Sequence, residues 1–310
     1  MMQCMDFLRV QALPNIKLHN YRIKICVNFL KNDSLIQSYN DTITDEYLLK
    51  KINDIIRLLR IYKFKKISYA YFHKSNFNNN YGILFALTQY NEEITDFFNY
   101  LLLNDRELII IGYTIINKLK QITYHTKAQR LGYRYYDFIW PVSIDGFIQV
   151  NPETANQVHD TVDRLLVRNS TYVYYGLGGE MAVYAKKYEK EFKDTLCITN
   201  SEIIRNDYLA NMDNSKCSLV DYNTVKLDEI FVDPNSVLLV NISRHGLRNL
   251  AKQINILKFK QIIYIGCCDE AIIRDHKELI KSYNLNKIIK INQFPETCYF
   301  LYIIEYQCFN

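Results

Sequence analysis

No apolar run in the chain approaches the roughly twenty residues needed to cross a bilayer. The amino terminus, with Arg9 and Lys17 set against Asp6, lacks the clean apolar core of a secretion signal, and an organellar presequence is not indicated. The cysteines lack order as well. Eight are scattered over 310 residues without a C-x-x-C pair or zinc-ligand spacing. That argues against a disulfide framework and a metal site, and for a reducing compartment, cytoplasm or organelle matrix. Charge of one sign is scarce: 38 basic and 33 acidic residues leave a net charge of +5. Such a balance suits contact with RNA phosphates over a local face, and an ordinary solvated surface accounts for it equally.

What is present is ample apolar material. A hydrophobic content of 49% over this length supports one or two ordinary cores, with two domains the natural expectation, and speaks against a disordered or fibrous class. The 26 tyrosines, with the richness in Ile, Asn and Lys, hint at AT-rich coding rather than at chemistry. Residues 1–145 read as an α+β domain. Tyr21–Phe29, Ser68–Phe72, Tyr81–Leu87 and Leu108–Ile111 have the pattern of strands. Leu48, Ile52, Ile55, Ile56 and Leu59 recur at helical spacing after a cap at Thr44 or Asp45, and a second helix is expected over 92–104. From residue 146 onward strands alternate with helices, the pattern of a doubly wound parallel sheet. The expected helix after Pro152 carries Ala155, Val158, Val162 and Leu165 on one face.

Two stretches invite a functional reading. Lys118, Lys120, Lys127, Arg130 and Arg134 are interleaved with Tyr124, Tyr133, Tyr135, Tyr136 and Trp140. Cations hold phosphates and ring faces stack bases, so this pattern suits single-stranded or looped RNA, although tyrosines alternating along a strand are often packing residues. The second is Ile262–Asp275, where a short buried strand ends at Gly266 and is followed by Cys267 and Cys268 and a helix bearing Ala271, Ile272 and Leu279. Ligands bind at the carboxyl ends of strands in open α/β sheets, so a thiol there could meet a substrate; a small buried hydrophobe is the alternative.

Phe147-Ile-Gln-Val-Asn151, Tyr174-Tyr-Gly-Leu-Gly178, Asn241-Ile-Ser-Arg-His-Gly246, the cysteine strand and Phe294-Pro-Glu-Thr297 occur in that order. Together they resemble the TrmA/RumA-type RNA uracil-5-methyltransferases, whose motifs run F-x-Q-x-N, Y-C-G-x-G, D-P-P-R-x-G, Y-x-S-C-N-P and F-P-x-T-x-H-x-E. The resemblance covers residues 146–300 and is diffuse before that, where Asn20-Tyr-Arg-Ile-Lys24 resembles the family's early Y-R strand. It implies an α/β fold: a class I, Rossmann-like S-adenosylmethionine methyltransferase domain over 146–310, preceded by an α+β RNA-binding domain over 1–145. Having neither an iron–sulfur cysteine cluster nor an obvious amino-terminal barrel, the chain looks like a degenerate member closest to the compact, transfer-RNA-modifying TrmA branch.

In the resembling family a cysteine thiolate adds to C6 of uracil, C5 takes a methyl group from S-adenosylmethionine, and a carboxylate removes the C5 proton before the thiol leaves. By the resemblance Cys267 holds the nucleophile position, Asn241 replaces an aspartate, and Leu301 stands where the general-base glutamate should be. Leucine cannot accept a proton. The cofactor side would comprise Gln149, Gly176, Gly178, Glu202 and Asp221, with Gln149 reaching the target uracil in the family or capping a strand end here. The glycines would let backbone approach a cofactor, as tight turns require anyway, and Glu202 would hold ribose hydroxyls or simply begin a helix. RNA contacts would fall to Lys127, Arg130, Arg134, Tyr135, Tyr136 and Arg244. No metal is expected. The sequence therefore favours a catalytically impaired methyltransferase homologue that binds RNA, transfer or ribosomal, within a ribosome or other ribonucleoprotein. The alternative is an active tRNA uracil-C5 methyltransferase with a displaced base. S-adenosylmethionine is the cofactor of the active form; the impaired form needs none.

Overall fold

In the computed structural model, the described residues are 10–12, 24–28, 45–62, 66–116, 121–213, 216–293 and 300–309. Residues 20–23, Lys118, Lys120 and the whole Phe294–Thr297 motif lie outside them. The chain divides into two compact units, one of residues 19–152 and the other of residues 153–310 together with the strand β1 (Val10–Ala12). The division thus falls after Pro152, seven residues beyond the boundary drawn from the sequence, and β1 joins the carboxyl-terminal unit by pairing in parallel with a strand near the end of the chain.

The first unit is a five-stranded sheet of β2 (Lys24–Asn28), β3 (Ile67–Lys74), β4 (Tyr81–Leu87), β5 (Leu108–Ile115) and β6 (Thr123–Tyr124), in that order, with only β4 and β5 parallel. Helices α1 (Glu46–Ile61) and α2 (Glu92–Asn104) supply its core. The five apolar α1 positions spaced along the sequence are all buried, beside Phe72, Phe85 and Phe98. Asp45 caps α1 by accepting from the Leu48 amide at 2.9 Å, and Asn91 caps α2 from the Ile94 amide at 3.2 Å. A hairpin of β7 (Arg130–Tyr135) and β8 (Phe138–Ser143) follows.

Helix α3 (Pro152–Leu165) leads into the second unit, whose further elements are β9 (Val173–Gly178), α4 (Met181–Lys187), β10 (Asp194–Thr199), α5 (Glu202–Leu209), β11 (Cys217–Leu219), β12 (Ser236–Asn241), α6 (Asn249–Leu257), β13 (Gln261–Gly266), α7 (Asp269–Leu279), β14 (Tyr283–Asn292) and β15 (Phe300–Cys308). The strand order is β1-β14-β15-β13-β12-β9-β10-β11, parallel except for β15, which runs antiparallel to both neighbours. Strands β9, β12 and β13 are buried along their whole length, as expected of parallel strands covered on both faces by helices. This is the class I, Rossmann-like methyltransferase fold. Its parallel strands end together, so Gly178, Thr199, Leu219, Asn241 and Gly266 reach one edge of the sheet, and β15 starts there.

Candidate functional site

The site is built on the ends of β9, β12 and β13. Gly178 sits at φ +102° opposite Asn241, and a Cβ there would lie 2.0 Å from the Asn241 carbonyl oxygen. The same oxygen accepts a hydrogen bond from the Gly179 amide at 2.8 Å. Glycine is therefore required for the turn to close on β12. Gly176 serves packing instead: its missing side chain makes room for Cys197 Sγ and Met181 Cβ, each 2.8 Å from an added methyl. The turn ends at Glu180, a buried carboxylate at φ +62° that the sequence reading did not single out.

Asn241 is 8% exposed, and its side-chain Nδ2 donor has no hydrogen-bond partner. An aspartate there would carry no donor, so the amide brings both a loss of charge and an unsatisfied N–H. Cys267 stands exposed one residue past β13. Its surroundings still bury the sulfur enough to push the thiol pKa above its ordinary value, while the neighbouring Arg244 guanidinium pulls it down. Arg244, expected among the RNA contacts, lies beside the thiol.

Leu301 is 4% exposed in β15, paired with Ile291. Gly266 pairs with Tyr302, which sets Leu301 one residue further along, level with Cys267. The expected base position is thus at the right edge and filled by a buried aliphatic side chain. Glu305 does not substitute. It is buried four residues into the sheet, where its carboxylate accepts from Gln261 at 2.6 Å and Asn286 at 2.8 Å. A different carboxylate does lie near the thiol in sequence: Asp269 opens α7 and meets the Tyr302 hydroxyl, whose pKa is raised first by burial and then by this carboxylate. Lys290 stands over the Phe300 ring at 3.5 Å on the next strand.

The expected cofactor contacts are dispersed. A cavity of about 310 Å³ opens at the ends of β10, β11 and β12, lined by residues that include Asn200, Tyr222, Asn223, His245 and Arg248, without a carboxylate. Glu202 is exposed in the first turn of α5 and does not line it; the residue that β10 delivers there is Asn200. Asp221 is exposed too, and its carboxylate accepts from the Asn223 amide at 2.9 Å, a local turn. Gln149 is buried in the other unit.

The loop after β12 is held from below, which no motif signalled. Asp275 of α7, 1% exposed, accepts from the Leu247 amide at 2.5 Å, the Arg248 amide at 3.3 Å and the Tyr264 hydroxyl at 3.0 Å. Arg274 ties in by donating to Asp275 at 2.8 Å and to the His245 carbonyl at 2.6 Å.

In the amino-terminal unit, the aromatic part of the expected RNA surface needs correction. Tyr135 is 5% exposed, and Tyr133 and Trp140 are buried with it on the inward face of the β7–β8 hairpin. Alternation along β7 put these rings inside and Arg134 outside, so Tyr135 cannot stack on a base. Tyr136 occupies the tight turn at φ +55° and is half-buried. Lys127 and Arg134 are exposed, Arg130 is half-buried, and the Arg134 guanidinium lies 5.1 Å from the centre of the Phe77 ring.

Among the described residues no group of His, Cys, Asp and Glu could hold a metal, and no helix is long and apolar enough to cross a membrane.

By topology the protein has the fold of the S-adenosylmethionine methyltransferases. It superposes on the Pyrococcus abyssi tRNA (uracil-54, C5)-methyltransferase, solved with S-adenosyl-L-homocysteine, with a TM-score of 0.69 at 17% identity, covering 96% of this chain and 78% of that one. In sequence it is a relative of the RNA uracil-C5 methyltransferases. An RNA methyltransferase of Leptospira interrogans is 28% identical over 166 residues, which are 50% of this chain and 40% of that protein. The 23S rRNA (uracil(1939)-C(5))-methyltransferase of Mannheimia succiniciproducens is 26% identical over 166 residues, 50% of this chain and 37% of the relative. The chain thus matches about two fifths of the length of these relatives. No protein-family model matches it.

Proposed function

We propose that the protein binds RNA through a methyltransferase fold without completing uracil methylation, and that it works within a ribosome or another ribonucleoprotein. One observation carries the reading: the position level with Cys267 that should hold the proton-removing carboxylate is a buried leucine, Leu301. Loss of a positioned base costs about a hundred- to ten-thousand-fold in rate. The unpartnered Asn241 amide and the raised Cys267 pKa weigh in the same direction. RNA as the partner is supported by the relatives, named for 23S rRNA, and by exposed Lys127 and Arg134. Cys267, aided by Arg244, would still approach a pyrimidine, so retention includes a slow, stalled adduct.

The second reading is an active tRNA methyltransferase in which Asp269, two residues past the thiol and in contact with Tyr302, has taken over the base's work. Incubating the protein with uridine-containing RNA and methyl-labelled S-adenosylmethionine separates the two. RNA retention without release of free methylated RNA is the expected outcome; any label that does transfer stays in a covalent adduct on Cys267, because a missing base blocks only the step after methyl transfer. Release of methylated RNA that is lost in Cys267→Ala, and that in Asp269→Asn gives way to a methylated adduct trapped on the protein, would instead establish the displaced base.

A further inference from the structure

The cavity at the ends of β10, β11 and β12 has the wrong charge for the cofactor of its fold class. S-adenosylmethionine brings a sulfonium cation and a ribose diol, both of which call for carboxylates, and none of the lining residues has one. Two acids next to lining residues are otherwise engaged. Asp221 closes its own turn with Asn223, and Asp275 lies buried beneath the loop, held by Arg274, Tyr264 and two backbone amides.

Two basic side chains line the cavity instead. Arg248 and His245 make no salt bridge or side-chain hydrogen bond among the described residues, although the backbone of each is tied to the Arg274–Asp275 clasp. Arg248 also keeps a backbone at φ 51° and ψ −121°, a conformation suited to glycine and costly for any other residue. Arg248 is exposed at the cavity and has no acidic partner among the described residues, which leaves its guanidinium free to meet an anion there. The first turn of α6 adds to the same field: Asn249 and Leu250 line the cavity, and the helix starts without a side-chain cap. Around this positive end stand the amides of Asn200 and Asn223, which can donate and accept along a base edge. The Tyr222 hydroxyl is buried short of good hydrogen-bond geometry, although Thr199 and the Asn200 backbone lie close enough to moderate its raised pKa. The volume, about 310 Å³, exceeds what a bare phosphate would fill.

We propose that this cavity binds a nucleoside monophosphate, with the phosphate on Arg248 and His245 and the nucleoside against Tyr222 and the asparagine amides. The inference goes beyond RNA retention and does not rest on it, since RNA could be held by the amino-terminal unit with the cavity empty.

Adenosine, adenosine 5′-monophosphate and S-adenosylmethionine share one nucleoside, so calorimetric titration of the full chain with each isolates the effect of charge at the 5′ position. The monophosphate is expected to bind about tenfold or more tighter than adenosine, as one charge-assisted contact allows, and S-adenosylmethionine more weakly than the monophosphate. Arg248→Gly removes the cation and relaxes the backbone. It is expected to erase most of the phosphate preference while leaving the melting temperature unchanged or higher. Equal affinity for adenosine and its monophosphate, preference for S-adenosylmethionine, or an Arg248→Gly protein that keeps the phosphate preference would each overturn the proposal. A short oligoribonucleotide added to the nucleotide-loaded protein then assigns the source: displacement identifies a residue of RNA, simultaneous binding a free nucleotide, and both sustain a phosphate site. RNA retained by Arg248→Gly after its nucleotide binding is lost would leave the RNA-binding reading standing independently.

Discussion

A thiol acts as a nucleophile only after losing its proton, and at Cys267 two influences oppose each other. Partial burial raises its pKa and Arg244 lowers it, with burial the larger. At neutral pH the residue is therefore mostly the protonated thiol. Alkylation of Cys267 by iodoacetamide, followed by mass spectrometry across pH, is expected to show a midpoint above that of a free cysteine. Arg244→Ala should move that midpoint higher and slow the reaction at pH 7; a midpoint that falls or stays put would show that the guanidinium does not act on the sulfur. Some of this chemistry was legible in the sequence. Cys267 and Leu301 could be placed because each is anchored to a strand with a recognisable apolar run, so counting along the chain sufficed. Tyr135 was misplaced because alternation along a strand says that successive rings face opposite ways without saying which way is in. Asn200 and Arg248 carried no motif, and only a cavity assembled out of distant segments brings them together.

At the scale of elements, the loop after β12 depends on α7. Asp275 accepts two loop amides and the Tyr264 hydroxyl, and Arg274 closes over it. Removing a buried charge's partner, or a charge with several buried donors, costs about 3–5 kcal/mol. Asp275→Ala is expected to lower the urea midpoint by a corresponding amount with little change in slope. Arg274→Ala should cost much less, because that side chain is 49% exposed. Comparable losses in the two variants would mean that the carboxylate matters only as the arginine's partner. Helices and strands with strong periodicity were read accurately from sequence: α2 spans 92–104 and β4 spans Tyr81–Leu87, as the apolar spacing required. The clasp was not readable, because an Arg-Asp pair on a helix is the same in sequence whether it faces water or closes over a buried loop.

For the molecule as a whole, His159 of α3 is one contributor to acid sensitivity, beside ion-paired carboxylates such as Asp105 and Asp194 whose pKa values are lowered. It is 5% exposed, and burial holds its pKa down to about 4, with Asp163 pulling up and Lys187 pulling down. The folded form keeps the ring neutral where the unfolded chain, with an ordinary value near 6.5, takes up a proton. Its contribution is therefore intact above about pH 6.5 and is lost progressively as pH falls toward 4. The loss amounts to about 3 kcal/mol at the acid end. Denaturant titrations at several pH values should find His159→Phe less sensitive to acid than the parent over that window; an unchanged pH profile would show that the ring is not held neutral. The sequence alone determined the alternation of strands and helices, the Gly178 turn, the thiol past β13 and the leucine at position 301, since each is written in local periodicity or in a residue's position within one segment. Only the tertiary structure decided that β1 completes the carboxyl-terminal sheet, that the rings of β7 and β8 are interior, and that Asn200, Tyr222 and Arg248 share a basic cavity. Strand order and register bring together residues far apart in the chain, and burial and electrostatic field depend on those non-local neighbours.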